Sequence, residues 1–222
     1  MLDKTDPQAG SLAQVKLRII LDSPSARPQR SAKLNHAQVI GNLRKKRLFN
    51  RSAFGRETHK FKLKSKLSLD AILSVESNHD IVLPSDYKEF LLNVGDGGAG
   101  PGYGLLPLMK SVDKATEDIA DSLRIPFRYQ KFYNPADEED FHAREAEDGY
   151  WDSFLVGSMP ICHEGCGYYH ILILSGEAKG AVWLNGMSSD MGITPLCESF
   201  SEWYSKWLEH LDDGGNGVWW MN

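Results

Sequence analysis

The chain has 222 residues, of which 41% are apolar and 10% aromatic, enough for the core of one domain with an extension. It contains no run of about 18 apolar residues, and the start "MLDKTDPQAGSL" has acids where a signal peptide carries a basic and then an apolar stretch. We therefore expect neither a membrane-spanning nor a secreted protein, but a cytoplasmic one whose cysteines stay reduced.

The net charge of -5 conceals two parts of opposite sign. Residues 1–66 hold 16 Lys and Arg against 4 Asp and Glu, a net charge of +12, whereas residues 67–222 hold 9 against 26, a net charge of -17. We expect a basic, partly ordered extension followed by a domain whose acidic surface attracts basic proteins and disfavours nucleic acid. The basic extension leaves nucleic-acid binding open. A solvated surface with a solubilising tail is the alternative interpretation.

The extension contains three predicted elements and a linker. "QVKLRIIL" at 14–21 is a short apolar strand or helix, and "SPSARPQRS" at 23–31 has the composition of a linker. "LNHAQVIGNLRKKRLF" at 34–49 predicts a helix whose basic end suits the helix dipole. "HKFKLKSKL" at 59–67 alternates apolar and basic residues, which is typical of an edge strand whose lysines discourage pairing.

Two helices are predicted at the start of the acidic domain. "LSLDAILSVESN" at 67–78 forms the first, with core-facing Leu69, Ile72, Leu73 and Val75. In "LPSDYKEFLLNVGDGG" at 83–98, Pro84 and Ser85 begin the second helix and Gly95 ends it in the left-handed conformation. The apolar stripe of the second helix consists of Tyr87, Phe90, Leu91 and Val94.

The middle of the chain predicts a turn and two further helices. "GPGYGLLPL" at 100–108 indicates a tight turn that enters a short buried strand. "SVDKATEDIADSLR" at 111–124 predicts a helix with Ile119 and Leu123 on its apolar side. "ADEEDFHAREAED" at 136–148 predicts a strongly acidic helix with little to bury.

The last third predicts three strands and one amphipathic helix. The strands are "SFLVGSMPI", "GYYHILIL" and "GAVWLNG", and Asn185–Gly186 suits a tight hairpin turn after the third. "SFSEWYSKWLEHL" at 199–211 predicts the helix, with Ser199 or Ser201 as its cap. The apolar stripe of this helix consists of Phe200, Trp203, Tyr204, Trp207, Leu208 and Leu211.

The letters "GDGGAG" at 95–100 match the dinucleotide-binding pattern G-x-G-x-x-G. That pattern binds pyrophosphate only where it leaves a strand and opens a helix. Here it follows a predicted helix and precedes Pro101 and further glycines. We therefore predict a turn and no nucleotide site.

The stretch 161–186 contains residue types used in metal and thiol chemistry. Cys162 and Cys166 have the spacing of half a zinc site, but a closed site needs a second pair. The strand-like sequence keeps His163 and His170 from completing it. A nucleophilic Cys166 needs a histidine within hydrogen-bond reach, and His170 lies about 13 Å further along an extended strand. We predict a buried hairpin with Cys166 in the core, and no catalytic residue, metal site or cofactor.

The densest group of carboxylates lies in the predicted acidic helix. A solvated helix is one interpretation, and a docking surface for a basic partner is the alternative. Tyr150 and Trp151 follow directly, and binding hot spots are rich in aromatic residues. We therefore predict a partner-binding surface that contains Asp137, Glu138, Glu139, Asp140, Glu145, Glu147, Asp148, Tyr150 and Trp151.

Three stretches together carry a more specific pattern, namely residues 83–108, 165–186 and 192–211. The matched positions are Leu83, Pro84, Tyr87, Phe90, Gly97, Gly98, Gly102, Gly104, Gly165, Cys166, Gly167, Val182, Trp183 and the helix from Phe200 to Leu211. In this order they resemble the SUKH superfamily over roughly residues 67–212. That family consists of bacterial immunity-type proteins and includes a fungal regulator of cell-wall glucan synthesis.

The resemblance implies an α+β domain with a central, mostly antiparallel sheet and flanking helices that acts by binding protein rather than as an enzyme. Many members look like antidotes to toxins, often nucleases, and others like regulatory scaffolds. We therefore expect an immunity protein whose partner is a basic toxin domain. A regulatory scaffold is one alternative, and a hydrolase that uses Cys166 or an acid pair is another. The matched residues are turn and core positions, so the resemblance implies no binding site.

Overall fold

A computed structural model of the chain describes residues 34–49, 53–137, 152–189, 191–212 and 220. These residues form six helices and one antiparallel sheet with the strand order β1-β2-β3-β4, which confirms the predicted α+β class. The helices are α1 His36–Phe49, α2 Arg56–His59, α3 Leu69–His79, α4 Ser85–Asn93, α5 Leu108–Ala115 and α6 Phe200–Asp212. The strands are β1 Ser158–Gly165, β2 Tyr168–Ile173, β3 Val182–Asn185 and β4 Ile193–Cys197.

The two faces of the sheet bury different side chains. On β2, Leu172 belongs to the main core, whereas Ile171 and Ile173 belong to a second, smaller cluster. The alternation follows from the two-residue period of an extended strand. The main core lies between the sheet and the helices, and the predicted apolar stripe of α6 is buried in it throughout. The second cluster consists of Phe127, Ile171, Ile173, Trp183 and Ile193.

The Leu-Pro-Ser-Asp sequence at the start of α4 helps to connect three helices. Buried Glu76 of α3 accepts a hydrogen bond from the backbone N–H of Leu83 at 2.7 Å and pairs with Lys88 of α4 at 2.7 Å. Asp86 accepts a hydrogen bond from the backbone N–H of Ser201 at 2.8 Å, which satisfies a free donor at the start of α6. Ser199 is the cap of α6, because its hydroxyl accepts a hydrogen bond from Glu202 N–H at 3.1 Å.

The glycine-rich segment 95–104 forms the predicted turn. Asp96 accepts a hydrogen bond from Leu108 N–H at 2.7 Å and so caps α5, and Tyr204 of α6 donates to the carbonyl of Ala99 at 2.9 Å. Gly98 has φ of +98°, and a Cβ there would lie 2.3 Å from the carbonyl oxygen of Lys62. Only glycine allows this approach, which brings the segment against residues 62–64.

Residues 59–67 do not form the predicted edge strand. Lys60 and Phe61 have positive φ angles of 50° and 52°, which turn the chain, and a single bridge joins Leu63 to Gly98. The predicted left-handed end of α4 is also wrong. Gly95 lies outside the positive-φ region, and a Cβ there would meet Lys64 O at 2.7 Å, so close packing explains this glycine.

The predicted core face of α3 is half right. Ile72 is buried, but Leu69 and Leu73 are 51% and 47% exposed. The buried stripe is Ile72, Val75 and Glu76, because the paired carboxylate of Glu76 faces the core. A prediction from apolar periodicity leaves charged residues out of the buried face. It therefore assigned Leu69 and Leu73 to that face instead of Glu76.

Two later predictions also differ from the structure. The helix predicted at 111–124 begins earlier, at Leu108, and ends at Ala115. The Thr116 hydroxyl donates to the carbonyl of Val112 at 3.0 Å, a local bond that competes with helix continuation. β3 and β4 are joined by residues 186–192 with a 3-10 turn, Met187–Ser189, instead of a tight Asn185–Gly186 turn.

Helix α1 packs on the domain that follows it. Val39 and Leu43 are buried in the main core cluster, and α1 contacts α6. The predicted elements at 14–21 and 23–31 lie outside the described residues. The division of the chain at 66–67 into extension and domain stays a prediction. Among the described helices, none has the length and apolar character needed to cross a membrane.

Gly98→Ala should destabilise the fold strongly. The positive φ and the approach to Lys62 together predict a loss of about 2–4 kcal/mol in the free energy of unfolding. Gly41→Ala is the matched control, because Gly41 lies within α1 with no atom within 4 Å of its Cβ position. It should be neutral or stabilise by up to about 1 kcal/mol. Urea unfolding measures both, and equal stability of Gly98→Ala and the original chain contradicts the argument.

Candidate functional site

A groove of about 730 Å³ lies along the sheet face opposite the main core. Its walls and floor include the apolar side chains of Leu155, Pro160, Tyr169, Ile171 and Met187. Tyr169 and Ile171 line it because alternate residues of β2 point to this face. A concave apolar surface with a few polar groups is typical of a binding site.

Three carboxylates stand at the polar side of this groove. Glu117 and Asp118 follow α5 and are exposed, and Asp152 begins a 3-10 turn. Burial raises the pKa of Asp152 above its ordinary value, and the nearby carboxylates of Asp118 and Glu117 raise it further. The carboxylates thus repel one another. A cation placed among them would relieve that repulsion.

Lys114 is the cation at the same groove. Its ammonium lies 4.9 Å from the centre of the Tyr169 ring, a cation–π contact. The groove therefore offers an aromatic face that already receives a positive charge, beside carboxylates that attract another.

A second candidate is a buried cluster at one end of β1 and β2. Cys162 and His170 are partners across the two strands, and Glu164 lies two residues beyond Cys162. The Glu164 Oε1 atom is 3.7 Å from His170 Nε2 and 4.0 Å from Cys162 Sγ. One ligand atom from each residue lies within 4.8 Å of the others, so the residue types and distances are those of a possible metal site.

The hydrogen bonds of this cluster oppose metal binding. Trp203 Nε1–H donates to His170 Nδ1 at 3.0 Å, and an indole nitrogen is a donor only. The Nδ1 atom therefore holds the lone pair and the proton of the neutral imidazole lies on Nε2, where a metal would need a lone pair. The Cys162 thiol donates to the carbonyl of Pro101 at 2.9 Å. The cluster fits a network of protonated groups better than a metal centre.

Burial favours the uncharged forms of the cluster. It lowers the pKa of His170 to about 3 and raises the pKa of Glu164 to about 7. Burial, followed by the nearby Glu164, raises the pKa of the Cys162 thiol well above its ordinary value. A protonated, inert thiol is not a nucleophile at neutral pH.

The predicted position of Cys166 in the core is wrong. Cys166 is exposed at the tip of the β1–β2 hairpin, with φ of 50°, and its carbonyl accepts a hydrogen bond from the Ser188 hydroxyl at 2.9 Å. The hairpin itself is confirmed. Cys166 is exposed because the chain reverses there, between Gly165 and Gly167. The buried cysteine of this hairpin is Cys162, on β1.

Of the residues predicted to form the partner-binding surface, the structure describes one, Asp137. Asp137 is exposed at the end of the 3-10 turn Pro135–Asp137. The remaining predicted residues, Glu138, Glu139, Asp140, Glu145, Glu147, Asp148, Tyr150 and Trp151, lie outside the described residues.

Sequence reasoning missed the groove carboxylates and the buried cluster. Asp118 falls in a stretch predicted as helix, and nothing local places it beside Asp152, which is 34 positions away. Tyr169 and His170, by contrast, could have been assigned to opposite sheet faces from the two-residue period of β2.

A comparison with known families matches a region that includes the glycine-rich turn, the hairpin and the start of the last helix. The family model described as SMI1 / KNR4 family (SUKH-1) matches residues 66–206, more than half of the chain. The chain belongs to this family. The match confirms the resemblance seen in the sequence, and with it a general protein-binding role of the immunity or regulatory kind. Among curated proteins, none matches this SUKH-1 member.

Glu164→Gln should change how stability depends on pH. The folded-state pKa of about 7 exceeds the ordinary value of 4.5, so unfolding releases a proton between these pH values. Stability is therefore lost as the pH rises through this window, by about 3 kcal/mol in total, and the loss is complete above it. Glutamine cannot ionise and escapes the loss.

Urea unfolding at pH 5 and pH 8 tests this expectation. Relative to the original chain, Glu164→Gln should gain about 2–3 kcal/mol between the two pH values. The lowered pKa values of His59 and His170 give a dependence of opposite sign, but both chains share these residues. A difference between the chains that stays constant with pH would count against an ionisable Glu164 in the buried cluster.

A thiol reagent should modify one cysteine of the folded chain quickly. Cys166 is exposed, whereas Cys162 and Cys197 are buried, and burial raises the pKa of Cys197 to about 12. Cys166→Ser should remove the fast reaction and change stability by no more than about 0.5 kcal/mol. Rapid reaction of two or three thiols under native conditions, or of none, would contradict the structure.

Proposed function

We propose that this SUKH-1 protein is an immunity protein that binds and neutralises a basic toxin domain, and that it is not an enzyme. The observation that carries the proposal is the groove: an apolar floor beside three mutually repelling carboxylates, Glu117, Asp118 and Asp152. Such a surface matches a partner that presents a cationic side chain flanked by apolar ones.

The charge of the whole domain supports a basic partner. Residues 67–222 carry a net charge of -17. Nucleases and other proteins that hold phosphates are basic, so an acidic inhibitor can cover the same surface and associate rapidly. A nuclease toxin is therefore the partner class that we favour.

The alternative of a hydrolase has less support. Among the described hydrogen bonds, Cys166 has no histidine partner that would activate it. Three free thiols, one of them exposed, suit the reducing cytoplasm, where an immunity protein would act.

Where a toxin domain is encoded beside this gene, that domain is the test partner. The full chain should bind that domain when the two are purified and mixed, and should abolish its toxicity in cells. An adjacent gene product that binds without being toxic would favour the regulatory scaffold instead. Failure to bind any neighbouring basic toxin, or measurable hydrolase activity lost in Cys166→Ser, would reject the proposal.

Removing the groove charges should slow association with the toxin. The double variant Asp118→Asn/Asp152→Asn should reduce the association rate about 3–10-fold at low salt and flatten its salt dependence. Glu89→Gln/Glu209→Gln is the matched control, because it removes two exposed carboxylates on α4 and α6, away from the groove. Stopped-flow binding at several salt concentrations measures both. Equal slowing by the two variants would show that only overall charge matters.

A further inference from the structure

Four aromatic rings form a continuous row that leads into the groove. Phe54 contacts Tyr103 with ring centres 5.5 Å apart, Tyr103 contacts His163 at 5.5 Å, and His163 stacks on Tyr169 at 4.6 Å. His163 and Tyr169 are partners across β1 and β2, so their rings lie on the same sheet face. We call Phe54, Tyr103, His163 and Tyr169 the aromatic row.

The outer end of the aromatic row is open to solvent. Phe54 and Tyr103 are 42% and 44% exposed, and in the described part of the chain they are the most exposed large aromatic side chains. His163 and Tyr169 are half-buried. Contiguous exposed aromatic rings mark interaction surfaces, and tyrosine is enriched at binding hot spots.

Close backbone contacts hold the row together. A Cβ at Gly55 would lie 1.6 Å from the carbonyl oxygen of Gly102, and a Cβ at Gly102 would lie 2.4 Å from that of His163. The backbone N–H of Tyr103 also donates to the His163 carbonyl at 2.9 Å. The three segments that supply Phe54, Tyr103 and His163 therefore meet at fixed positions, and the row is preorganised before a partner binds.

The electrostatics of the row favour a cation. The faces of aromatic rings carry partial negative charge, and the Tyr169 ring already receives the Lys114 ammonium at 4.9 Å. Burial, followed by the nearby Lys114, lowers the pKa of His163, so that this ring is neutral at pH 7. The groove that Tyr169 lines also contains the carboxylates of Asp118 and Asp152, which would repel the phosphates of a nucleic acid.

We propose that the aromatic row and the groove form one docking surface for an arginine-bearing segment of a partner protein. Guanidinium groups of the segment stack on the exposed rings, and one of them pairs with the carboxylates of the groove. Arginine suits both places, because its planar cation stacks on rings and binds carboxylates in two-point contacts. This inference rests on the proposed function in one respect, namely that the partner is a basic protein.

The test measures binding of short labelled peptides to the full chain by fluorescence anisotropy. The probes are a peptide of four Arg-Leu repeats, the same peptide with Lys or Glu in place of Arg, and a twelve-residue oligo(dT). The Arg-Leu peptide should bind at least about 3-fold more tightly than the Lys-Leu peptide, since stacking favours the guanidinium group. Oligo(dT) and the Glu-Leu peptide should not bind at physiological salt.

Two variants locate the binding. Phe54→Ala/Tyr103→Ala should weaken binding of the Arg-Leu peptide at least about 5-fold, consistent with the loss of two cation–π contacts. Leu73→Ala is the control, because it truncates a side chain that is 47% exposed on α3, outside the row, and it should leave binding unchanged. Thermal melting confirms that both variants are folded.

The outcomes separate this inference from the proposed function. Binding of the Arg-Leu peptide that is lost in Asp118→Asn/Asp152→Asn but unchanged in Phe54→Ala/Tyr103→Ala overturns the role of the aromatic row. The role of the groove carboxylates is then still supported. Weaker binding in the row variant supports the row, even where the adjacent toxin fails to bind and the immunity role is rejected. Tighter binding of oligo(dT) than of the Arg-Leu peptide, or no peptide binding up to millimolar concentration, overturns the inference.

Discussion

The close approach of the glycine-rich segment 95–104 to its neighbours is the constraint on which the rest of the structure depends. Gly98 lies against Lys62, Asp96 caps α5, and Ala99 accepts the hydrogen bond of Tyr204 in α6. One turn thus aligns the segment before α3, the helix beside β1 and the last helix. The close approach at Gly102 also brings Tyr103 against His163. The packing of the turn therefore determines the geometry of the aromatic row.

How far the sequence predicts the structure depends on how local each signal is. The stripe of α6, the start of α4 and the β1–β2 hairpin follow from spacing and capping within a few residues, and the structure confirms them. The orientation of α3 does not follow, because the pairing of Glu76 with Lys88 places a carboxylate in its buried stripe. Cys166 was misplaced because the turn that exposes it cannot be distinguished by composition from a buried Gly-Cys-Gly strand end.

The candidate sites were hidden from the sequence for a different reason. The contact between Asp118 and Asp152 joins a loop after α5 to the turn before β1, and no periodicity links the two. The hydrogen bond that decides the chemistry of the buried cluster also joins residues far apart in the sequence. Trp203 on α6 donates to His170 on β2 and so sets the position of the histidine proton. From sequence, Cys162, Glu164 and His170 are three potential ligands. In the structure, a single indole donor fixes the proton of His170 on Nε2, which opposes a metal at this position.

Surface charge and buried charge have opposite roles in this domain. In the buried cluster at β1 and β2, burial favours uncharged forms, so that His170 stays deprotonated and Cys162 protonated. The groove instead keeps carboxylates close together at the surface, where burial and mutual repulsion raise the pKa of Asp152. A cation placed beside these carboxylates would relieve their repulsion. A surface of this kind fits a binding function, and the aromatic row reaches the same groove at Tyr169.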